Sequence, residues 1–217
     1  MKKIVFAFLL TIASVATYAQ SFRLGLTAHP NFGFLKAENG KGDGLTVGFS
    51  YGLMGDFEFA ENYCFATGLT VTSINGAAKI LNFQPYYASV SSSGSKEYNV
   101  KYKMQYIEVP LSLKLKTDEL KGLKWYGQFG LSNDFAIRAK QDVSSNNTVL
   151  ADDAKADKQT RFYRAGMIIG GGAEYKIDGK TSLTGGLTYN NGLTNIAKGD
   201  NGSVRNHYVA LNIGVFF

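Results

Sequence analysis

From Phe22 onward the chain alternates bulky apolar side chains with small or polar ones at a period of two, the mark of strands whose two faces meet different surroundings. In the last segment Val209, Leu211, Ile213, Val215 and Phe217 alternate with Tyr208, Ala210, Asn212, Gly214 and Phe216, one wholly apolar face against a small or mixed one. The same rhythm runs through 22–34, 45–59, 63–72, 98–115, 125–138, 163–176 and 182–190, so eight strands are predicted. Asn133 is the clearest residue out of place, a polar side chain on an apolar face.

One segment shifts phase. Tyr98, Val100, Tyr102, Met104 and Tyr106 are apolar at even positions, whereas Ile107, Val109, Leu111, Leu113 and Leu115 are apolar at odd ones. A single face is kept only if an extra residue bulges near Tyr106; otherwise the strand breaks in two there. Pro110 lacks a ladder donor and favours a local irregularity.

The connections alternate in length. Residues 61–62, 117–122 and 178–179 are short, while 36–44, 75–97, 141–160 and 191–205 are longer and rich in Gly, Asn, Ser and Asp. This pattern predicts an all-β fold, an eight-stranded antiparallel transmembrane up-and-down β-barrel with short periplasmic turns and long outer loops. At that size inward side chains fill the interior. A soluble lipocalin-like barrel would invert the faces, with the large apolar side chains inside. The smaller face, however, is rich in Gly, Ala, Ser and Thr, which a narrow interior requires and a water-facing surface does not. Aromatics at predicted strand ends complete the picture: Phe22, Phe59, Tyr63, Trp125, Tyr175 and Phe217 at one rim, and Phe34, Tyr98, Tyr163 and Tyr189 towards the other.

Composition narrows the class. With 217 residues, 45% hydrophobic, 18% charged and 3 Pro, the chain has room for one folded domain and is neither disordered nor collagen-like. Lys2 and Lys3, an apolar run over 4–15 and Thr17-Tyr18-Ala19 read as a secretory signal peptide over 1–19, leaving a barrel domain over 20–217 and an outer-membrane destination. Without Lys2 and Lys3 the 23 basic residues become 21 against 17 acidic, about +4. That mild excess suits lipid or lipopolysaccharide phosphates and not nucleic acid. Cys64 is the single cysteine, so no intrachain disulfide forms.

Candidate chemistry is sparse, and no catalytic residue, cofactor or metal site is expected. His29 and His207 are the two histidines, and the phase places His29 inward and His207 outward. A lipid-A-modifying enzyme would have to use one of them. Asp152, Asp153 and Asp157 lack the Gly and the closing Glu of a calcium loop, and Gly170-Gly171-Gly172 lies inside a strand with no helix after it. The informative polar set is the inward charges Arg23, Asp56, Glu58, Glu108, Lys114, Arg138, Arg164, Glu174 and Lys176. A charge enclosed in a narrow barrel needs a partner, so Glu58, Glu108 and Glu174 are expected to join Arg23, Lys114 and Lys176 in the periplasmic half. Towards the outside, Lys101, Lys103, Arg138 and Arg164 outnumber Asp134 and would make the upper lumen basic. Such a set either plugs the barrel and fixes register or forms an anion-attracting mouth.

The stretch Tyr106-Ile107-Glu108-Val109-Pro110-Leu111-Ser112-Leu113-Lys114 resembles the Y-[IL]-E-[IV]-P-L-x-L-K segment of the PorT-like outer membrane protein β-barrel family. The terminal Phe217, closing a run of alternating apolar residues, resembles the signal read by the barrel-assembly machinery. The resemblance spans the mature chain and implies architecture more than activity, since some members are linked to protein secretion and no catalytic residues carry over. Three roles are therefore weighed: a structural or interaction protein whose loops meet lipopolysaccharide, a host surface or a secretion partner; a narrow pore for small solutes; and an outer-membrane enzyme.

Overall fold

The computed structural model describes residues 21–81, 83, 97–146, 148–199 and 202–217. The leader expected over 1–19 and the part of the second outer loop at 84–96 lie outside the described residues. Every regular element described is a strand: β1 (Ser21–Ala37), β2 (Gly40–Gly42), β3 (Thr46–Ala60), β4 (Tyr63–Leu81), β5 (Glu97–Lys116), β6 (Leu123–Ser145), β7 (Thr148–Lys155), β8 (Tyr163–Asp178), β9 (Thr181–Gly192) and β10 (Val204–Phe216). Eight of these close a ring of antiparallel neighbours in the order β1, β3, β4, β5, β6, β8, β9, β10 and back to β1. Closure leaves no free edge in the wall, the condition for a sheet to cross a bilayer. The short β2 and β7 extend the outer ends of β4 and β6. Of segment 141–160, expected as a loop, residues 141–145 are the end of β6 and 148–155 are β7, paired back against it.

Along the lower part of the barrel the large apolar side chains point outward. Phe49, Leu69, Phe129, Leu131 and Ile213 are each about half exposed, in a continuous band that only hydrocarbon satisfies. Asn133, the exception in that band, accepts a hydrogen bond from the Tyr163 hydroxyl at 2.9 Å and donates to the Val109 carbonyl at 3.4 Å.

Above this band the polarity inverts while the alternation continues. On β4 the outward series Phe65, Leu69, Val71 gives way to Ser73, Asn75 and Lys79, and the inward series Ala66, Thr70, Thr72 gives way to Ile74, Ala78 and Ile80. On β5 the even positions face inward from Tyr98 to Lys116 without a change of phase. The bulge expected on β5 lies across the ladder, on β6: Gln105 pairs with Arg138 and Tyr106 with Ala136, so Ile137 is the extra residue. β5 therefore neither bulges nor breaks near Tyr106; its pattern shifts because the chain leaves the membrane there. Tyr98 accordingly sits inside and not in an aromatic girdle.

The outer end thus has the construction of a soluble protein. Leu35, Ile74, Ile80, Tyr98, Val100, Tyr102, Met104, Tyr106, Val143, Ile196 and Val204 form one buried apolar core inside the wall. Lys103 pairs outside it with Asp142 at 2.7 Å, and Lys140 with Asp153. The Asp153 carboxylate is held below the usual aspartate range, first by the Lys140 hydrogen bond.

Candidate functional site

Below the apolar core, the lumen holds two polar layers. The periplasmic one is built where β1, β3, β5 and β8 bring alternate residues to the same depth. Arg23, Lys114 and Lys116 face Asp56, Glu58 and Glu174, so three cations meet three carboxylates. Glu174 is the hub: Arg23 Nη1 lies 2.9 Å from it, Lys116 Nζ 3.2 Å and Lys114 Nζ 3.5 Å. Lys114 also reaches both oxygens of Asp56 at 3.1 and 2.9 Å, and Lys116 bridges Asp56 at 3.2 Å and Glu58 at 3.5 Å. The Phe216 ring lies between two cations, with the Arg23 guanidinium 4.5 Å and the Lys114 ammonium 5.2 Å from its centroid. Cys64 is buried at the same level.

The second layer lies higher. Glu108, Asp134 and Arg164 are ladder neighbours on β5, β6 and β8. Arg164 is fully buried and ion-paired with the equally buried Asp134. It donates further to Asn206 Oδ1 at 2.5 Å, to Asn190 Oδ1 at 2.8 Å, to the Asn206 carbonyl at 2.9 Å and to Ser132 Oγ at 3.5 Å. The Tyr208 hydroxyl donates to Glu108 at 2.8 Å and accepts from Asn190 at 3.2 Å. Glu108 therefore belongs to this layer and not to the periplasmic one where the sequence pattern had placed it.

Other predicted positions fall elsewhere. Arg138 is exposed on the outer wall beyond the β6 bulge, and Lys101 and Lys103 lie on the same exterior face of the sheet. The basic upper lumen expected from these residues is not formed, because the polarity inversion leaves Lys101 and Lys103 facing water and the β6 bulge turns Arg138 out beside them; Arg164, the remaining inward cation of that set, is paired. Lys176 is exposed at the periplasmic rim. Lys116 was missed: it ends β5 in phase with Lys114, and that i, i+2 pairing was the signal for it.

Between the layers lies a chamber of about 130 Å³. Its floor includes Lys114, Asp56 and Phe216, its roof Glu108 and Tyr208, and its sides Met54, Ile168, Thr188, Gln128 and Asn212. The small residues of β8 and β9 leave room for one large side chain there. A Cβ on either Gly172 or Gly186 would come within 2.6 Å of the Tyr126 hydroxyl. The two histidines are not brought together: His29 lines the chamber, and His207 stacks outside on Phe34 with ring centroids 5.2 Å apart. Among the described residues no group of His, Cys, Asp and Glu is placed to hold a metal ion.

The family model of the outer membrane protein beta-barrel domain matches residues 18–198. No curated protein matches the sequence significantly. Among solved structures the fold is similar to that of Neisserial surface protein A, NspA, at 16% identity and TM-score 0.45, covering 89% of this chain and 95% of that one. It is also similar to the outer membrane protein OprG from Pseudomonas aeruginosa at 13% identity and TM-score 0.42, covering 90% and 93%. A third similar structure is Ail, the attachment invasion locus protein of Yersinia pestis, at 14% identity and TM-score 0.39, covering 90% and 98%.

Proposed function

This chain belongs to the outer membrane protein beta-barrel domain family and resides in the outer membrane, and on that premise we propose that it is a surface interaction protein. In this reading a sealed transmembrane stem carries a rigid platform outside the membrane. One observation supports it above the rest. Among the described residues the lumen is blocked three times over, by the periplasmic ion network, by the Arg164 layer and by the apolar outer core. An axial path for hydrated solutes would have to break a charge-balanced buried network, which is costly, and then cross a packed core. The investment lies in the outer wall, where β4 to β7 rise above the bilayer with a polar exterior. The segment 106–114 favours the PorT-like branch, so a component of a secretion complex is the partner class we place first. Lipopolysaccharide phosphates are the surface ligand that the basic balance favours, and the barrel-assembly machinery is the partner during biogenesis.

In-cell photo-crosslinking tests this reading. A photoreactive residue at Asn99 or Lys101, on the exterior of the platform, should capture a defined envelope protein or lipopolysaccharide, whereas one at Leu131, in the apolar band, should capture only lipid. Planar-bilayer recordings should show no unitary conductance. Steady single-channel steps from the purified barrel would overturn the proposal in favour of a solute pore.

A further inference from the structure

We propose that the chamber between the two charged layers is a binding site for a small neutral amphiphile that enters sideways from the bilayer through interruptions in the barrel wall. Two ladders of the wall break partway and resume, each beside a proline. Between β4 and β5 the ladder runs Thr67 to Leu111 and resumes at Thr70 to Glu108, leaving Gly68 and Leu69 unpaired with Val109 and Pro110. Between β1 and β10 it runs Thr27 to Gly214 and resumes at Asn31 to Ala210, leaving Ala28, His29 and Pro30 unpaired with Leu211, Asn212 and Ile213. The register is the same on both sides of each gap, so each is a missing set of bonds and not a slip. Proline has no N–H to give the ladder.

Both gaps open on the same chamber. Gly68 and Pro110 line it from one side, and His29, Asn212 and Ile213 from another. Outside, Leu69, Leu211 and Ile213 belong to the exposed apolar band, so both gaps face hydrocarbon. An interrupted ladder at that depth is expensive because no water replaces the lost bonds. At the second gap the Thr27 hydroxyl donates to the Ile213 carbonyl at 2.9 Å, a side-chain bond that releases without unpairing strands.

Size and lining define the ligand. An apolar cavity of about 150 Å³ holds benzene, and this chamber is close to that size at about 130 Å³. Met54, Ile168 and Phe216 supply an apolar side, and Thr188, Gln128 and Asn212 a hydrogen-bonding side, with the Thr188 hydroxyl accepting from both amides. The floor is already charge-balanced and the roof presents the Glu108 carboxylate, so an anion would enter uncompensated while a neutral hydroxylated molecule would not, and could donate to Glu108.

Thiol accessibility tests the route. In a Cys64→Ala background, Thr188→Cys places a thiol in the chamber, with Ala210→Cys as a second reporter. In phosphatidylcholine vesicles, uncharged N-ethylmaleimide should label either reporter at least tenfold faster than a sulfonated methanethiosulfonate supplied on both sides, each rate normalised to Lys176→Cys at the exposed rim. Benzyl alcohol should slow that labelling by occupying the site. Pro110→Val or Pro30→Val returns a ladder donor, and at least one should slow it about tenfold. Equal labelling by the charged reagent would establish axial access. Absence of labelling by either reagent, no protection by benzyl alcohol, or unchanged rates in both proline variants would each overturn the proposal.

Discussion

Replacing Arg164 by Met should be among the most damaging single changes in the stem. Arg164 and Asp134 are both fully buried and paired, and the guanidinium also satisfies Asn190 and both oxygens of Asn206. Met keeps the length and apolar stem of the side chain but strands the Asp134 carboxylate in a region without water. Leaving one partner of a buried ion pair uncompensated costs about 3–5 kcal/mol. Asp134→Asn should cost somewhat less, because Arg164 keeps its bonds to Asn190 and Asn206. The double variant Arg164→Met with Asp134→Asn leaves neither member of the pair facing an absent partner, so its loss should fall short of the sum of the two singles by about 2 kcal/mol. Urea titration of vesicle-reconstituted protein measures all three, followed by the fluorescence of Trp125, the single tryptophan, which is exposed at the periplasmic rim. Losses that simply add, or single variants each costing less than about 1 kcal/mol, would show that the pair is hydrated in the native barrel and that the lumen is not sealed at this level.

Three further outcomes follow from the same geometry. Leu131→Lys in the exposed apolar band should cost about 2–4 kcal/mol in the same titration, whereas Gln105→Lys on the outer wall of β5 should be nearly neutral; equal costs would displace the membrane boundary drawn at the polarity inversion. Gly172→Val should lose about 1–3 kcal/mol or more by overpacking, first against the nearer Gly185 carbonyl oxygen and then against the Tyr126 hydroxyl at 2.6 Å, so adding Tyr126→Ala should recover only a minor part; full recovery would mean that the phenol alone sets the constraint. Because Asp153 is depressed in the folded state, its attachment of β7 to Lys140 and Lys103 is present above the unfolded aspartate value, about pH 3.9, and is lost as pH falls through the lower folded value; amide exchange in β7 should accelerate there, and Asp153→Asn should abolish the pH step.

The strands, their number and the outward direction of the large apolar residues were legible because a two-residue period is enforced by the pleat at every position of a closed wall. Position in the membrane was not, because the same period persists when the surroundings change. On β5, Tyr98 to Tyr106 and Ile107 to Leu115 looked like two phases of one face; they are two faces of one phase, meeting core above the membrane and lipid within it. That misassignment carried Lys101 and Lys103 into the lumen, the bulge at Ile137 on β6 did the same for Arg138, and together they produced a basic mouth that the fold does not contain. β7 was hidden because its residues are exposed on both faces and carry no alternation to read.

The inversion, once recognised, is itself a depth gauge readable from sequence. It falls after Thr72 on β4, before Ile107 on β5 and at Ile137 on β6, and the ladder joins the first polar outward residues Ser73, Gln105 and Arg138 in one row across three strands. A row fixed by hydrogen bonding marks a surface, and it divides the protein energetically. Below it, apolar residues gain nothing by turning inward, so stability rests on paired charges, hydroxyls and amides in the lumen. Above it, the hydrophobic effect drives Tyr102, Ile74 and Val143 together as in any water-soluble fold. The outer core should therefore loosen in denaturant independently of the stem, because water and not lipid holds that part of the molecule together.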